Sequence, residues 1–247
     1  MVKNSHTQYA PWLRDIPKDW SVDRLKDIIP KIVGGGTPSS AESDYWEDGD
    51  IIWVTPTDFS SEGLAVEICD SERKITRAGL AASSANLLPK GAVIMASRAT
   101  IGSVRIAGRE LTTNQGFISF VCDEKKLHHR FLYYVIVGYL GDYFAETAPG
   151  TTFNEISRGK AKQEPIGFPS FNEQMLIADY LDSSCQAISR ITSLNEISAK
   201  YNQIKGVLHD QLQAILSYRK ALIHECVTGR RRVTDVQLKR VLSNARA

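Results

Sequence analysis

The rhythm of apolar and polar positions changes near residue 170. Before that point Gly, Thr and Ser punctuate short apolar segments. After it proline is absent, and only Gly206 interrupts before Gly229. In the first part, "DIIWVTPTDF" is β-branched and aromatic and predicts a strand ending at Pro56. "AVIMAS" and "GSVRIAG" predict two strands around a tight turn, and "GFISFVC" predicts another. "TRAGLAASSA" predicts a short helix capped by Thr76. "KKLHHRFLYYVIVGYLGDYFAE" predicts a longer helix ending before Pro149-Gly150, although its Tyr and Val content also suits a strand. Strands and helices do not alternate regularly, which argues against a doubly wound sheet. The expected fold class is α+β: a mixed α/β domain with a bent sheet or barrel over residues 1–169, followed by a long helix.

In the second part, Ser170 and Glu173 have capping-box spacing, and Pro169 stands just outside. A heptad then runs through Leu194, Ile197, Tyr201, Ile204, Leu208, Gln211, Ile215, Tyr218 and Leu222, with only Gln211 polar. Gly206 falls on the outer face, where it lowers helix propensity but not packing. One helix over residues 172–227 would be roughly 84 Å long. Its apolar stripe would need another helix, so residues 170–229 are expected to form a coiled-coil helix for dimerisation and partner binding. The competing reading is a hairpin broken near Gly206. Residues 230–247 are expected to form a basic tail, a linker remnant or a grip for DNA or a partner.

The net charge of +2 hides a division. Residues 219–247 hold Arg219, Lys220, Arg230, Arg231, Arg232, Lys239, Arg240 and Arg246 against Glu225 and Asp235. The remainder is net acidic, yet residues 73–109 contain only basic charges: Arg73, Lys74, Arg77, Lys90, Arg98, Arg105 and Arg109. A basic span inside an acidic region points to a face that meets an anion. Cys69, Cys122, Cys185 and Cys226 form no CxxC pair, which argues against a zinc-cysteine site and fits a reducing cytoplasm. "MVKNSHTQYAPWLRD" has no apolar core for a signal peptide, and the apolar run "FLYYVIVGYL" is too short to span a bilayer. A cytoplasmic protein is expected.

Motifs for catalysis are missing. "GGGTPSS" has the look of a phosphate cradle, but it lacks the Lys of a P-loop, and Pro38 removes a backbone donor. The third glycine of a dinucleotide fingerprint is absent too. No Gly-x-Ser-x-Gly elbow occurs. His128 and His129 would point to different faces of a helix, so no metal site is expected there. A stand-alone enzyme is disfavoured.

The segments "DWSVDRLKDI", "GGGTPS…YWEDGDIIWVTPTDF", "KITRAGLAASSANLLPKGAVIMASRATIGSVRI", "TNQGF", "GTTFNEI", "PSFNEQMLIADYLD" and "RKALIHECVTG" occur in this order. Together they resemble the specificity subunit of type I restriction-modification systems, over about residues 17–229. The resemblance implies a non-catalytic subunit in which a target recognition domain is followed by a conserved long helix. It implies methyltransferase subunits carrying S-adenosylmethionine, and restriction subunits using ATP and Mg. A full-length member has the unit twice. This chain has it once, which implies a homodimer with antiparallel helices reading inverted half-sites. Pairing with a different half-subunit uses the same heptad physics. The alternative is a truncated or decoy assembly subunit that binds partners without reading sequence.

Base reading in the major groove favours Arg for guanine and Asn or Gln for adenine. Arg98, Thr100 and Arg105 flank the turn "SRATIGS", Asn114 and Gln115 lie in "TTNQG", and "PGTTFNEISRGK" supplies Thr151, Thr152, Asn154, Arg158 and Lys160. Local turn capping is the competing role for Asn114 and Gln115. Thr37 and Ser39 of "GGGTPSS" would position a DNA phosphate, while its glycines would let backbone approach a neighbouring strand or the phosphate. Trp46 and Trp53 are expected to be core aromatics.

Overall fold

The computed structural model describes residues 10–60, 66–149, 154–201 and 205–245. The chain divides into two compact units, Val22–Ile166 and Met1–Ser21 with Gly167–Ala247. The start of the chain thus groups with the C-terminal helices. Composition marks where strands give way to helices, but not which segments pack together.

The larger unit has the expected α+β character. Its strands are β1 (Lys31–Gly34), β2 (Ile51–Val54), β3 (Glu67–Ile68), β4 (Lys74–Ile75), β5 (Val93–Ala96), β6 (Val104–Ala107), β7 (Thr112–Thr113) and β8 (Phe117–Val121). Besides a single turn at Leu25–Ile28, its α-helices are α1 (Pro56–Ser60), α2 (Arg77–Ala81), α3 (His129–Val135), α4 (Gly141–Thr147) and α5 (Arg158–Gln163). Five strands form one sheet in the order β1-β8-β5-β6-β3, and three form a second in the order β4-β2-β7. The first sheet is open at β1 and β3, so it is not a closed barrel.

The bend lies between these sheets. β7 and β8 are consecutive in the chain but belong to different sheets, with only Asn114, Gln115 and Gly116 between them. The chain after β1 turns beside them: Gly34 is in register with Ile118, and two residues later the Gly36 N–H donates to Thr113 O at 2.9 Å. Two adjacent stretches therefore turn the same corner. A Cβ on Gly35 would lie 1.9 Å from Asn114 O, and one on Gly36 would lie 2.3 Å from Ala85 N. Only glycine fits such close backbone approach. The cradle-like appearance of "GGGTPSS" comes from this packing.

The core beneath the bend includes Ile52, Val54, Phe59, Ile68, Leu88, Ile94, Leu111 and Phe117. β5 is buried along its whole length, as its unbroken apolar run requires. Thr76 caps α2 by accepting from the Gly79 N–H at 3.1 Å. The apolar segment after His128 is helical, with a wider π turn at Ile136–Leu140 joining α3 to α4. Gly141 allows Gly102 to approach there: a Cβ on Gly102, at φ +88°, would meet the Gly141 carbonyl oxygen at 2.6 Å.

The smaller unit contains α6 (Phe171–Tyr201), α7 (Lys205–Val227) and α8 (Asp235–Ala245). The single straight helix expected over 172–227 is not formed; α6 and α7 pack against each other, and α8 packs on α6. Cys226 senses Cys185, and Arg231 senses Tyr180, so positions equidistant from Gly206 face one another, as in an antiparallel hairpin. Gly206 lies inside α7, and α6 is the helical neighbour that α7 meets within the chain. Of the heptad positions, Leu222 is buried, Ile215 is half-buried and Tyr218 is exposed. Ile204 lies outside the described residues, as do the side chains of Leu194, Ile197, Tyr201 and Leu208.

Gly229, at φ +73°, ends α7; its N–H donates to Cys226 O at 3.3 Å, and the Arg231 N–H donates to Glu225 O at 2.9 Å. A Cβ there would meet Pro17 Cδ at 2.5 Å. The tail arginines are engaged within this unit. Arg230 pairs with Asp15 at 2.6 Å and Arg231 with Glu225 at 2.8 Å. Arg232 pairs with Asp19, and with Glu173 at 2.5 Å. Arg232 also stands over the buried Trp20 ring. Three arginines of the basic tail thus pair with acids of this unit, two of them with Asp15 and Asp19 near the start of the chain.

Candidate nucleic-acid interface

Three loops of the larger unit meet at the bend. Thr37 donates its hydroxyl to Gln115 Oε1, tying "GGGTPSS" to "TTNQG". The Ser97 N–H donates to Gly116 O at 2.8 Å, tying "TTNQG" to the end of β5. The Ile156 N–H donates to Ser97 O at 3.0 Å, tying in the segment before α5. Arg98 and Glu155 form an isolated bridge, and Arg98 Nε lies 2.9 Å from Glu155 Oε1. Thr37, Ser39, Arg98, Thr100, Gln115, Asn154 and Arg158 are exposed on these three loops and the first turn of α5. The sequence names every member of this set; the structure adds the hydrogen bonds that join its loops.

Each residue has its own environment. Arg98 has about half its side chain exposed and one acidic partner of similar exposure. Such a pair is worth about 0–1 kcal/mol and is screened by salt, so Arg98 can exchange Glu155 for another acceptor at little cost. Asn114 is half-buried and accepts from the Gly116 N–H at 2.9 Å, the turn-capping role that competed with DNA contact. Arg105 turns away from the loops: it donates to Val104 O at 2.9 Å and Phe59 O at 3.1 Å and stacks over Phe59. Lys160 Nζ donates to Thr147 O at 3.3 Å and lies over the Tyr143 ring. Thr151 and Thr152 lie outside the described residues.

The tryptophans support the glycine loop. Trp53 is buried and donates its indole N–H to Gly36 O at 2.8 Å. Trp46 donates to Ser39 O at 2.9 Å and meets Trp53 edge to face at 5.0 Å. The exposed Arg73 guanidinium lies 4.0 Å from the Trp46 ring centre. Sequence reasoning placed Arg73 in the basic span but missed this cation–π stack. It also missed Glu155, because an acid is not expected where a polyanion binds.

Among the described residues no catalytic constellation accompanies these groups. The cluster offers hydrogen-bond donors, acceptors and exchangeable positive charge on a rigid corner, which suits recognition. The chain belongs to the type I restriction modification DNA specificity domain family, whose model matches residues 17–199.

The chain is 36% identical over 185 residues to the type I restriction enzyme MjaIX specificity subunit of Methanocaldococcus jannaschii, covering 75% of this chain and 42% of that relative. It is 28% identical over 169 residues to the EcoR124I/EcoR124II specificity subunit of Escherichia coli, covering 66% and 41%. The chain thus spans under half the length of these relatives. Its fold resembles that of the HsdS subunit from Thermoanaerobacter tengcongensis, with a TM-score of 0.53 and 20% identity over 87% of this chain and 46% of that one. A chain from a solved type I R-M system gives a TM-score of 0.53 at 21% identity over 86% and 47%. Among the described residues no helix is long and apolar enough to cross a membrane.

Proposed function

We propose that the chain is a DNA-recognition module of a type I restriction-modification system that reads one half-site and has no catalytic chemistry of its own. The family match over residues 17–199 carries this reading. The three-loop cluster at the bend is the surface it assigns to DNA. Arg98, Gln115 and Asn154 are the base-reading candidates, because their forked or amide groups match donor and acceptor patterns in the major groove. Thr37, Ser39, Thr100 and Arg158 are the backbone-positioning candidates.

Double-stranded DNA and type I methyltransferase and restriction subunits are the partners in this reading. S-adenosylmethionine, ATP and Mg reside on those subunits. The second half-site comes from a second copy of the chain, docked through the outer face of the α6–α7 hairpin, where Tyr218 is exposed. A dimer of this kind places the two recognition units in a symmetric relation that inverted half-sites match.

The test is modified-base mapping of DNA from cells co-expressing the chain with a type I methyltransferase subunit. A bipartite palindrome of modified adenines is the expected result. An asymmetric motif replaces the second copy with a different half-subunit. Absence of any motif, with the two proteins still co-purifying, replaces DNA reading with assembly alone. Light scattering at micromolar concentration should give twice the 27.5 kDa chain mass; a monomer rejects the dimer.

A further inference from the structure

A second chemical cluster lies in the larger unit, on residues that the bend does not use. Asp123 starts a tight turn: its carbonyl accepts from the Lys126 and Leu127 N–H groups, and its Oδ1 accepts from the Lys125 N–H at 3.0 Å. The turn brings Glu124 back over the start of α3. Glu124 Oε1 lies 2.6 Å from His129 Nδ1, and Glu124 Oε2 lies 3.9 Å from His128 Nε2.

Adjacent histidines within a helix would diverge. These do not, because His128 is the N-cap, with extended backbone at φ −74° and ψ 128°, and only His129 is helical. Their rings stack with centres 4.7 Å apart. One ligand atom from each of Glu124, His128 and His129 can be chosen so that all lie within 4.8 Å of one another. His128 is buried, His129 is half-buried and Glu124 is exposed, so the set has a fixed wall and an open side.

Glu124 and His129 also line a cavity of about 430 Å³ with Glu67, Lys90, Gly91 and Cys122. The cavity has room for water to complete a coordination shell. Its charges oppose one another, Glu67 favouring a cation and Lys90 disfavouring it. Cys122 lines the cavity but does not belong to the cluster of Glu124, His128 and His129.

We propose that Glu124, His128 and His129 form a binding site for a single zinc ion. Two imidazoles and one carboxylate are a donor set that zinc accepts, with water in the fourth position. Zinc–ligand bonds of about 2.0–2.1 Å put tetrahedral donors about 3.3 Å apart. Binding therefore requires the Glu124–His128 pair, at 3.9 Å, to close and the Glu124–His129 pair, at 2.6 Å, to open. Zinc would replace the direct contact between His129 Nδ1 and Glu124 Oε1.

The probe is zinc chloride, titrated by calorimetry into the untagged full-length chain. One equivalent is expected to bind and to raise Tm. Glu124→Gln and His129→Ala should each weaken binding roughly tenfold or more, a loss no smaller than outer-shell changes cause. Far-UV circular dichroism verifies folding; because the Glu124 side chain is half exposed, its variant keeps the test decisive if His129→Ala unfolds. Failure of the wild-type chain to bind overturns the proposal. So does unchanged affinity in either folded variant.

Discussion

Two sets of arginines read alike in the sequence and differ in the folded chain. Arg230, Arg231 and Arg232 each meet an acid of the smaller unit, and Arg232 meets two as well as the face of Trp20. Arg98 in the larger unit has one exposed partner, on a loop that joins two others at a sheet bend. The first set closes a structure; the second leaves charge available for exchange. Arg105 shows the same contrast within one basic span, since its guanidinium is held by two backbone carbonyls. A run of positive charge therefore identifies a binding face only after its internal partners are known.

The largest expected effect comes from breaking the bend that holds Arg98 in place. Gly36→Ala forces a Cβ against backbone and should cost about 3 kcal/mol, lowering Tm by about 6–12 °C in thermal unfolding. Arg105→Met comes next. It strands two carbonyl acceptors and should cost roughly 2 kcal/mol in denaturant unfolding, with sequence preference on DNA unchanged. Arg98→Ala should reverse that pattern: stability changes by less than about 1 kcal/mol, while discrimination at one base position falls by roughly 1–3 kcal/mol. Equal loss on all sequences would reclassify Arg98 as a phosphate contact. Arg232→Ala should lower stability by about 1 kcal/mol without changing DNA binding; weaker DNA binding would break the contrast between the two sets.

The smallest effect concerns Glu164. Burial holds its carboxyl above the ordinary range, against the attraction of Lys160. The folded chain therefore binds this proton more tightly than the unfolded chain, and stability falls as pH rises through that range. Glu164→Gln should raise Tm slightly at neutral pH. The gain should vanish below the ordinary carboxylate pKa, near about 4.3, in a series of melts across pH.

The sequence was most informative where local chemistry decides. Strand β5 follows from an unbroken apolar run, and the Thr76 cap from a hydroxyl before a helical stretch. Thr37, Gln115, Arg98 and Asn154 were legible as polar groups in loops, and the bend unites their loops. Long-range geometry was not legible. The heptad through Leu194–Leu222 predicts a partner helix equally well within the chain or beyond it, so the hairpin that α6 and α7 form stood only as the competing reading to one long helix. Two acidic partners of the tail arginines were not legible, because Asp15 and Asp19 lie more than two hundred residues away. The His128–His129 pair looked divergent because the helix start falls between them.

The most direct measurement is selection from a randomised DNA duplex library by the purified chain, wild type beside Arg98→Ala. The wild-type chain should enrich one defined half-site, and Arg98→Ala should relax a single position while keeping the others. Identical enrichment by both chains, or none by the wild type, would contradict the assignment of base reading to the loops at the bend.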